Sequence, residues 1–479
     1  MAAAAAFQRR SRALGSFYLH LFFHFCLVVY LGAMGTIAPS LTSPLLIACG
    51  VILVMLVHQD QLAQELCIRS WPLFAMVAIA IVSSSWSIDA ILTIRQAVQL
   101  LFTVLLGIVI VAKLGVAGSL KLLIRSMTFI CLLSSIWAVA IPSVGVHQAT
   151  DAYQNDHAGL WRGVLSHKVS LGAFAGAATG LLIFYGHKAF MHPISYVLAL
   201  SVTVACVLGT ASATAILAAA IMASVLYAAY WLAHAPRGRR KGAFWILISI
   251  QIVGIFLMYS GLLNQVAILL GKSADLSDRT TYWPHVIAAM NDLSGILGYG
   301  YHAGFRFLSP HLYRVSGILL FEAHNGVLDV LVAFGYFGAI VIVGLHLWLF
   351  AKSFRLLLST PPAIATVAVF PFGFIYLIFV LSYAESVILR SVTVWTIGLS
   401  MATAITVLIE IRLRYPKPPA SYLRAGPQWT EQSTQPLYLA CNESSNVPPN
   451  PDKCTDSSKL KVGTSQNTAA SPQERSKLT

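Results

Sequence analysis

Two polar islands interrupt an otherwise apolar chain. One is Trp161-Arg162-Gly163-Val164-Leu165-Ser166-His167-Lys168. The other opens at Asp278-Arg279-Thr280 and closes at Glu322-Ala323-His324-Asn325. Cationic side chains are costly next to lipid and need a reason to be there. A planar guanidinium forms bidentate hydrogen bonds with phosphate, and an imidazole accepts a proton near neutral pH. Arg95, Arg162, Lys168 and Arg279, with His167, therefore make a candidate site for a phosphorylated, lipid-linked substrate. The competing reading of each cation is an interfacial side chain reaching phospholipid headgroups. Lys272, Arg306 and Arg314 share the loop of the second island in no recognisable pattern.

His324 is the candidate proton acceptor. Asn325 and Asp329 follow it one helical turn apart and share a face, and an acid in the first turns of a membrane helix usually faces a cavity. The alternative is a histidine that caps the loop and an aspartate satisfied by neighbouring helices. Glu385, within Ser382-Tyr383-Ala384-Glu385-Ser386, could orient a base or a sugar hydroxyl, or simply pair with Arg390. The chain has no GxxxxGK[ST] loop, no HExxH, no Cys/His cluster and no DxD-like pair, so neither nucleotide hydrolysis nor a metal or other cofactor is expected. Any glycosyl transfer would draw on a pre-activated donor outside the cell, where ATP is absent. The seven cysteines are scattered and imply no disulfide framework.

These groups must be positioned by membrane-spanning elements. Of 479 residues 57% are hydrophobic and only 10% are charged, against about 25% charged in a soluble domain. The net charge of +14 reflects basic cytoplasmic loops rather than nucleic-acid binding. A span needs roughly 20 apolar residues, which yields about twelve candidates. They centre near Phe25, Ala48, Ile79, Leu105, Ser134, Ala177, Leu200, Ala220, Gly254, Gly338, Phe374 and Thr403. The expected fold class is all-α, a polytopic integral membrane protein with a large periplasmic loop carrying short helices. Basic clusters such as Lys113/Lys121/Arg125, Arg237/Arg239/Arg240/Lys241, Lys352/Arg355 and Arg412/Arg414/Lys417 then fall on one side, the cytoplasmic one. The expected organisation is a cytoplasmic N-terminus (1–13), a membrane domain (14–415) and a disordered cytoplasmic tail (416–479). Two long loops, about 142–168 and 264–322, face outward. The second reads as a short amphipathic helix followed by the glycine-aromatic turn Leu297-Gly298-Tyr299-Gly300-Tyr301.

Several motifs recur together in this order. They are Trp86-Ser87-Ile88-Asp89 followed by Arg95, Trp-Arg-Gly-x-x-x-His-Lys ending at Lys168, and Asp278-Arg279 with Trp283 and Leu297-Gly298-Tyr299-Gly300. His324-Asn325 with Leu328-Asp329, Gly335 and Gly338, and then Glu385-Ser386, complete the series. Over roughly 86–386 the chain resembles the O-antigen ligase and Wzy-type polysaccharide polymerase superfamily, the exopolysaccharide polymerases in particular. The resemblance implies a metal-independent, inverting glycosyltransferase of the bacterial inner membrane. Its donor would be an undecaprenyl-diphosphate-linked oligosaccharide and its acceptor a growing glycan or lipid A–core. Membrane lipid, and chain-length or export proteins, are the other implied partners. By position, Arg162 and Arg279 would bind the diphosphate, His324 would be the base, and Val169 departs from the asparagine often found after His-Lys. A lipid-linked oligosaccharide transporter is the rival reading. It would place polar groups near the bilayer midplane and show repeated halves, and no repeat is visible. A catalytically silent scaffold would be indifferent to loss of His324.

Overall fold

The computed structural model describes residues 2–414 apart from 152–156, 166, 237, 239–241, 243–244, 246–278, 291–292 and 317–318. The candidate span centred on Gly254 and the tail 416–479 lie outside the described residues. The described chain is helical, with one isolated antiparallel bridge, Val146 with Trp161.

In chain order the helices are α1 (Ala2–Tyr30), α2 (Pro39–His58), α3 (Gln61–Arg69), α4 (Trp71–Val82), α5 (Ala90–Ala140), α6 (Lys168–Ala189), α7 (Pro193–Thr210) and α8 (Ala213–His234). After the undescribed stretch come three short helices, α9 (Arg279–Ala288), α10 (Leu293–Leu297) and α11 (Gly304–Ser316). The chain then returns to long helices with α12 (Gly326–Ser359), α13 (Pro362–Ser382) and α14 (Val394–Arg414). The long loop expected to face outward thus carries short helices. Eight of these helices, among the described residues, are long and apolar enough to cross a membrane, and the protein is a multi-pass all-α membrane protein.

The described residues do not confirm the count of twelve: the candidate at Gly254 lies outside them, and two other regions depart from single straight helices. First, the expected spans at Leu105 and Ser134 belong to one 51-residue element, α5, broken at Gly115 with φ +65°. Both ends of α5 approach the same end of the bundle: Ile88 donates its N–H to the Tyr299 carbonyl, and Arg162 donates its N–H to that of Gly145. The element therefore doubles back at Gly115, a conformation that glycine adopts without a Cβ penalty. Second, the expected span at Ile79 is α4, only 12 residues long. It joins α3 across a 72° bend, and the two together count as a ninth, broken span. Asp60 caps α3 by accepting from the N–H groups of Leu62 and Ala63 at 2.8 and 3.1 Å and pairs with Lys113 at 2.7 Å.

Small residues let the central helices meet closely, as is usual in lipid. Gly172, Gly176 and Gly180 recur every fourth residue on α6 and lie against α8; a Cβ at Gly176 would sit 2.2 Å from the Ala215 carbonyl oxygen. The most apolar stretches of α14 and α6 are 89% and 83% buried, whereas those of α2 and α7 are 22% and 28% buried. The first pair forms the centre and the second the lipid-facing rim. Lys188, Lys352 and Arg412 sit towards the far ends of α6, α12 and α14, and Lys352 pairs with Glu410 at 3.0 Å. The candidate site residues gather at the opposite end.

Candidate active site

The glycine-aromatic turn is a clasp. Gly335, at φ +66°, breaks α12 nine residues after its start and leaves backbone carbonyls without helical partners. Those of Val332 and Ala333 accept from the N–H groups of Tyr299 and Gly300 at 2.9 and 3.0 Å. The approach is tight, since a Cβ at Gly335 would lie 2.2 Å from the Ile296 oxygen and one at Gly300 would strike Ser87. The Trp-Ser-Ile-Asp element closes the other side: Trp86 Nε1 donates to the Leu297 carbonyl at 2.8 Å, and Thr93 Oγ1 donates to that of Tyr301 at 3.0 Å. Tyr301 stacks on Phe334 and donates its hydroxyl to the Leu389 carbonyl at 2.6 Å, next to Arg390. Two motifs far apart in sequence thus build one support for the loop that carries Arg390.

His324 stands in the adjoining segment, at the mouth of α12, with φ +48°. The peptide around it is held from three sides. The Ala323 N–H donates to Asp329 Oδ1 at 2.8 Å, and the Ala323 carbonyl accepts from Tyr282 Oη at 3.2 Å and Trp283 Nε1 at 2.9 Å. Asn325 caps α12, its Oδ1 accepting from the N–H groups of Val327 and Leu328, while its Nδ2 donates to the Tyr383 carbonyl at 3.4 Å. His324 Nδ1 lies 3.2 Å from Glu322 Oε1 and 3.8 Å from Glu385 Oε2. Glu385 also accepts from Thr214 Oγ1 at 3.3 Å, which ties the segment to α8.

Arg390 is the counter-charge. Its Nη2 pairs with Glu322 Oε2 and lies 3.5 Å from Asp329 Oδ2. Burial, the main cause, pushes its pKa down to about 10, so the guanidinium stays cationic at neutral pH. Behind it lies a cavity of about 50 Å³ lined by Tyr301, His302, Glu322, Asp329 and Arg390 among others. Burial first, and the Arg390 charge second, hold His302 neutral with a pKa of about 3. The sequence placed Glu385 and Arg390 as possible partners; the structure pairs Arg390 with Glu322 and Asp329.

The first island folds separately. Arg162 Nη1 pairs with Asp151 at 2.9 Å, while Nε and Nη2 donate to the Val144 and Ser143 carbonyls at 2.8 and 3.2 Å. Its guanidinium therefore closes its own loop. His167 caps α6: its Nδ1 accepts from the Val169 N–H at 3.2 Å, and His147 Nε2 accepts from that of Lys168 at 3.1 Å. His147, His157 and His167 contact one another edge-on, with ring centroids 5.4 to 5.7 Å apart. Among the described residues no group of such side chains, this one included, has the arrangement to hold a metal ion. Burial is the largest cause of a His167 pKa of about 3, and His147 and His324 are the next charges that depress it. The two islands are thus electrostatic neighbours.

The remaining candidates are placed as follows. Arg279 opens α9, one turn before the Tyr282 and Trp283 contacts, and its side chain lies outside the described residues. Arg95 is exposed on the first turns of α5. The next residue, Gln96, accepts from Ser391 Oγ at 2.6 Å, so Arg95 borders the Arg390 loop. Arg306 pairs with Asp89. Sequence reasoning assigned no role to Glu322, His147 or His157. The one signal for Glu322 was its place two residues before His324.

This arrangement can do base chemistry. Carboxylates beside Nδ1 favour a proton there and leave Nε2 with its lone pair, the tautomer a general base requires. Residues 197–343 match the family model described as O-antigen ligase. No curated protein matches the chain. The matched stretch runs from α7 through His324 into α12, so over that part the chain is similar to the O-antigen ligase family.

Proposed function

We propose that this protein is a polysaccharide polymerase of the exopolysaccharide type, acting at the periplasmic face of the bacterial inner membrane. It moves an oligosaccharide from its undecaprenyl-diphosphate carrier to the end of another lipid-linked chain. The observation that carries this reading is His324 with Nδ1 3.2 and 3.8 Å from the Glu322 and Glu385 carboxylates, at the end of the bundle that also carries Arg95 and Lys168.

The chemistry needs few groups. His324 Nε2 takes the proton of the acceptor hydroxyl as its oxygen attacks the anomeric carbon. The bond from that carbon to the diphosphate breaks, and the diphosphate leaves with the electron pair. A single displacement inverts the anomeric centre. A diphosphate is a good leaving group, so it needs positive charge rather than a proton. Arg279, Lys168 and Arg95 supply that charge. Arg162 and His167 hold the loop that presents Lys168, and paired hydrolase-type carboxylates are unnecessary.

A ligase acting on the same donor, with lipid A–core as acceptor, is the second reading, favoured by the description of the matching family. The deciding experiment is a deletion strain complemented with wild type, His324→Ala or Arg279→Ala at equal membrane levels. Secreted polysaccharide and lipopolysaccharide are both profiled on gels. Loss of long exopolysaccharide with single repeats left on the carrier identifies a polymerase. Loss of lipopolysaccharide capping with long chains still on the carrier identifies a ligase. Full activity in both mutants overturns the site and returns the transporter reading.

A further inference from the structure

Among the described residues two carboxylates lie within 4 Å of the His324 ring, and one of them is the nearer. Glu322 Oε1 is 3.2 Å from Nδ1, against 3.8 Å for Glu385 Oε2, and Glu385 already accepts the Thr214 hydroxyl. Resting on the glycosyl-transfer reading above, we infer that Glu322 is the positioning residue of the base: it holds the His324 ring by Nδ1 and stabilises the imidazolium that forms when Nε2 takes the acceptor proton.

The two oxygens of Glu322 divide the task. Oε2 is taken by Arg390, which itself is anchored through Nε to the Ser386 carbonyl at 3.2 Å and leans on Asp329. That contact fixes the plane of the carboxylate and leaves Oε1 for the imidazole. The backbone between the two residues is immobilised as well, because both polar atoms of Ala323 are engaged, by Asp329 on one side and by Tyr282 and Trp283 on the other. Glu322 and His324 are only two residues apart, so a fixed peptide between them sets the distance between their side chains. A carboxylate behind an imidazole selects the tautomer and orients the ring, as such outer partners do for metal-bound or catalytic histidines. Arg390 balances the charge of Glu322 from the side away from the imidazole.

The test is a double-mutant cycle on purified full-length protein, using lipid-diphosphate-linked oligosaccharide extracted from the deletion strain. Glu322→Gln keeps the shape and removes the charge. The expected result is a kcat lower by roughly 10- to 100-fold, the loss of one charge-assisted contact in the transition state, with the donor KM changed less than about twofold. In a His324→Ala background the same substitution should then cost nothing further, because its effect passes through the ring. A purely structural role would lower both backgrounds alike, and that outcome, or wild-type kcat in Glu322→Gln, overturns the inference. If Glu322→Gln does not fold because Arg390 loses its nearer carboxylate, the cycle is run on Glu322→Gln/Arg390→Gln, which removes both charges. Full activity of His324→Ala overturns the functional reading itself, whereas an impaired His324→Ala beside an unaffected Glu322→Gln overturns only the role of Glu322.

Discussion

Asp329 accepts a hydrogen bond from the backbone N–H of Ala323 at 2.8 Å, so the first turn of a membrane helix grips the loop that precedes it. Through that bond the helix α12 sets the position of His324, one residue further on. Asp329 also faces Arg390, and the two carboxylates Glu322 and Asp329 share one guanidinium.

Asp329→Ala removes both contacts at once. Breaking one partner of a buried pair costs about 3 to 5 kcal/mol. The expected outcome is a lowered melting temperature in detergent together with loss of long glycan. Asp329→Asn, which keeps the acceptor oxygen facing Ala323, should retain more of both. Equal damage from the two substitutions would refute the latch.

Gly335→Ala tests the clasp. The residue sits at φ +66° and a Cβ would meet the Ile296 oxygen at 2.2 Å. Strain of about 1 to 3 kcal/mol is expected from the backbone alone, and the collision adds to it. The melting temperature should fall by several degrees, and Gly344→Ala, whose Cβ meets nothing within 4 Å, should leave it unchanged. A matching fall in both would place the cause elsewhere.

Arg162 offers a discriminating comparison. Its guanidinium is bound to Asp151 and two carbonyls. If that closure is its role, Asp151→Ala should reproduce most of the activity loss of Arg162→Ala. If Arg162 instead binds diphosphate, Asp151→Ala should be nearly silent while Arg162→Ala raises the donor KM. Initial rates against donor concentration separate the two.

Acid should destabilise the first island. His167 has an ordinary pKa of 6.5 and a folded pKa of about 3. Between those values the unfolded chain binds the proton and the folded chain does not, so stability is full above about pH 6.5 and falls as pH drops towards 3. From pH 7 to pH 5 one such group removes about 2 kcal/mol. Melting curves of wild type and His167→Asn, which still offers a capping oxygen, should converge as pH is lowered. Parallel curves would show that the histidine carries no such load.

Part of this candidate constellation could be read from the sequence because its markers are local. His324, Asn325 and Asp329 share one helix start, and their spacing alone places them on a common face. The motifs around Trp86 and Leu297 were visible as well, but not their purpose. Their glycines and hydroxyls meet across more than 200 residues of chain, as in the bond from Trp86 to Leu297, and periodicity carries no information about such meetings.

By itself the sequence determined that the chain lives in lipid, where its apolar runs lie and which residues are too polar to be accidental. Those properties follow from the transfer cost of each side chain and need no neighbour. Tertiary structure decided the rest. It folded the 51-residue α5 back on itself at Gly115, bound Arg162 into its own loop, gathered His147 and His157 beside His167, and gave Arg390 to Glu322 and Asp329 instead of Glu385. An ion pair depends on where two helices end in space, and that is fixed by packing of small residues such as Gly176 against Ala215, which carry no charge of their own.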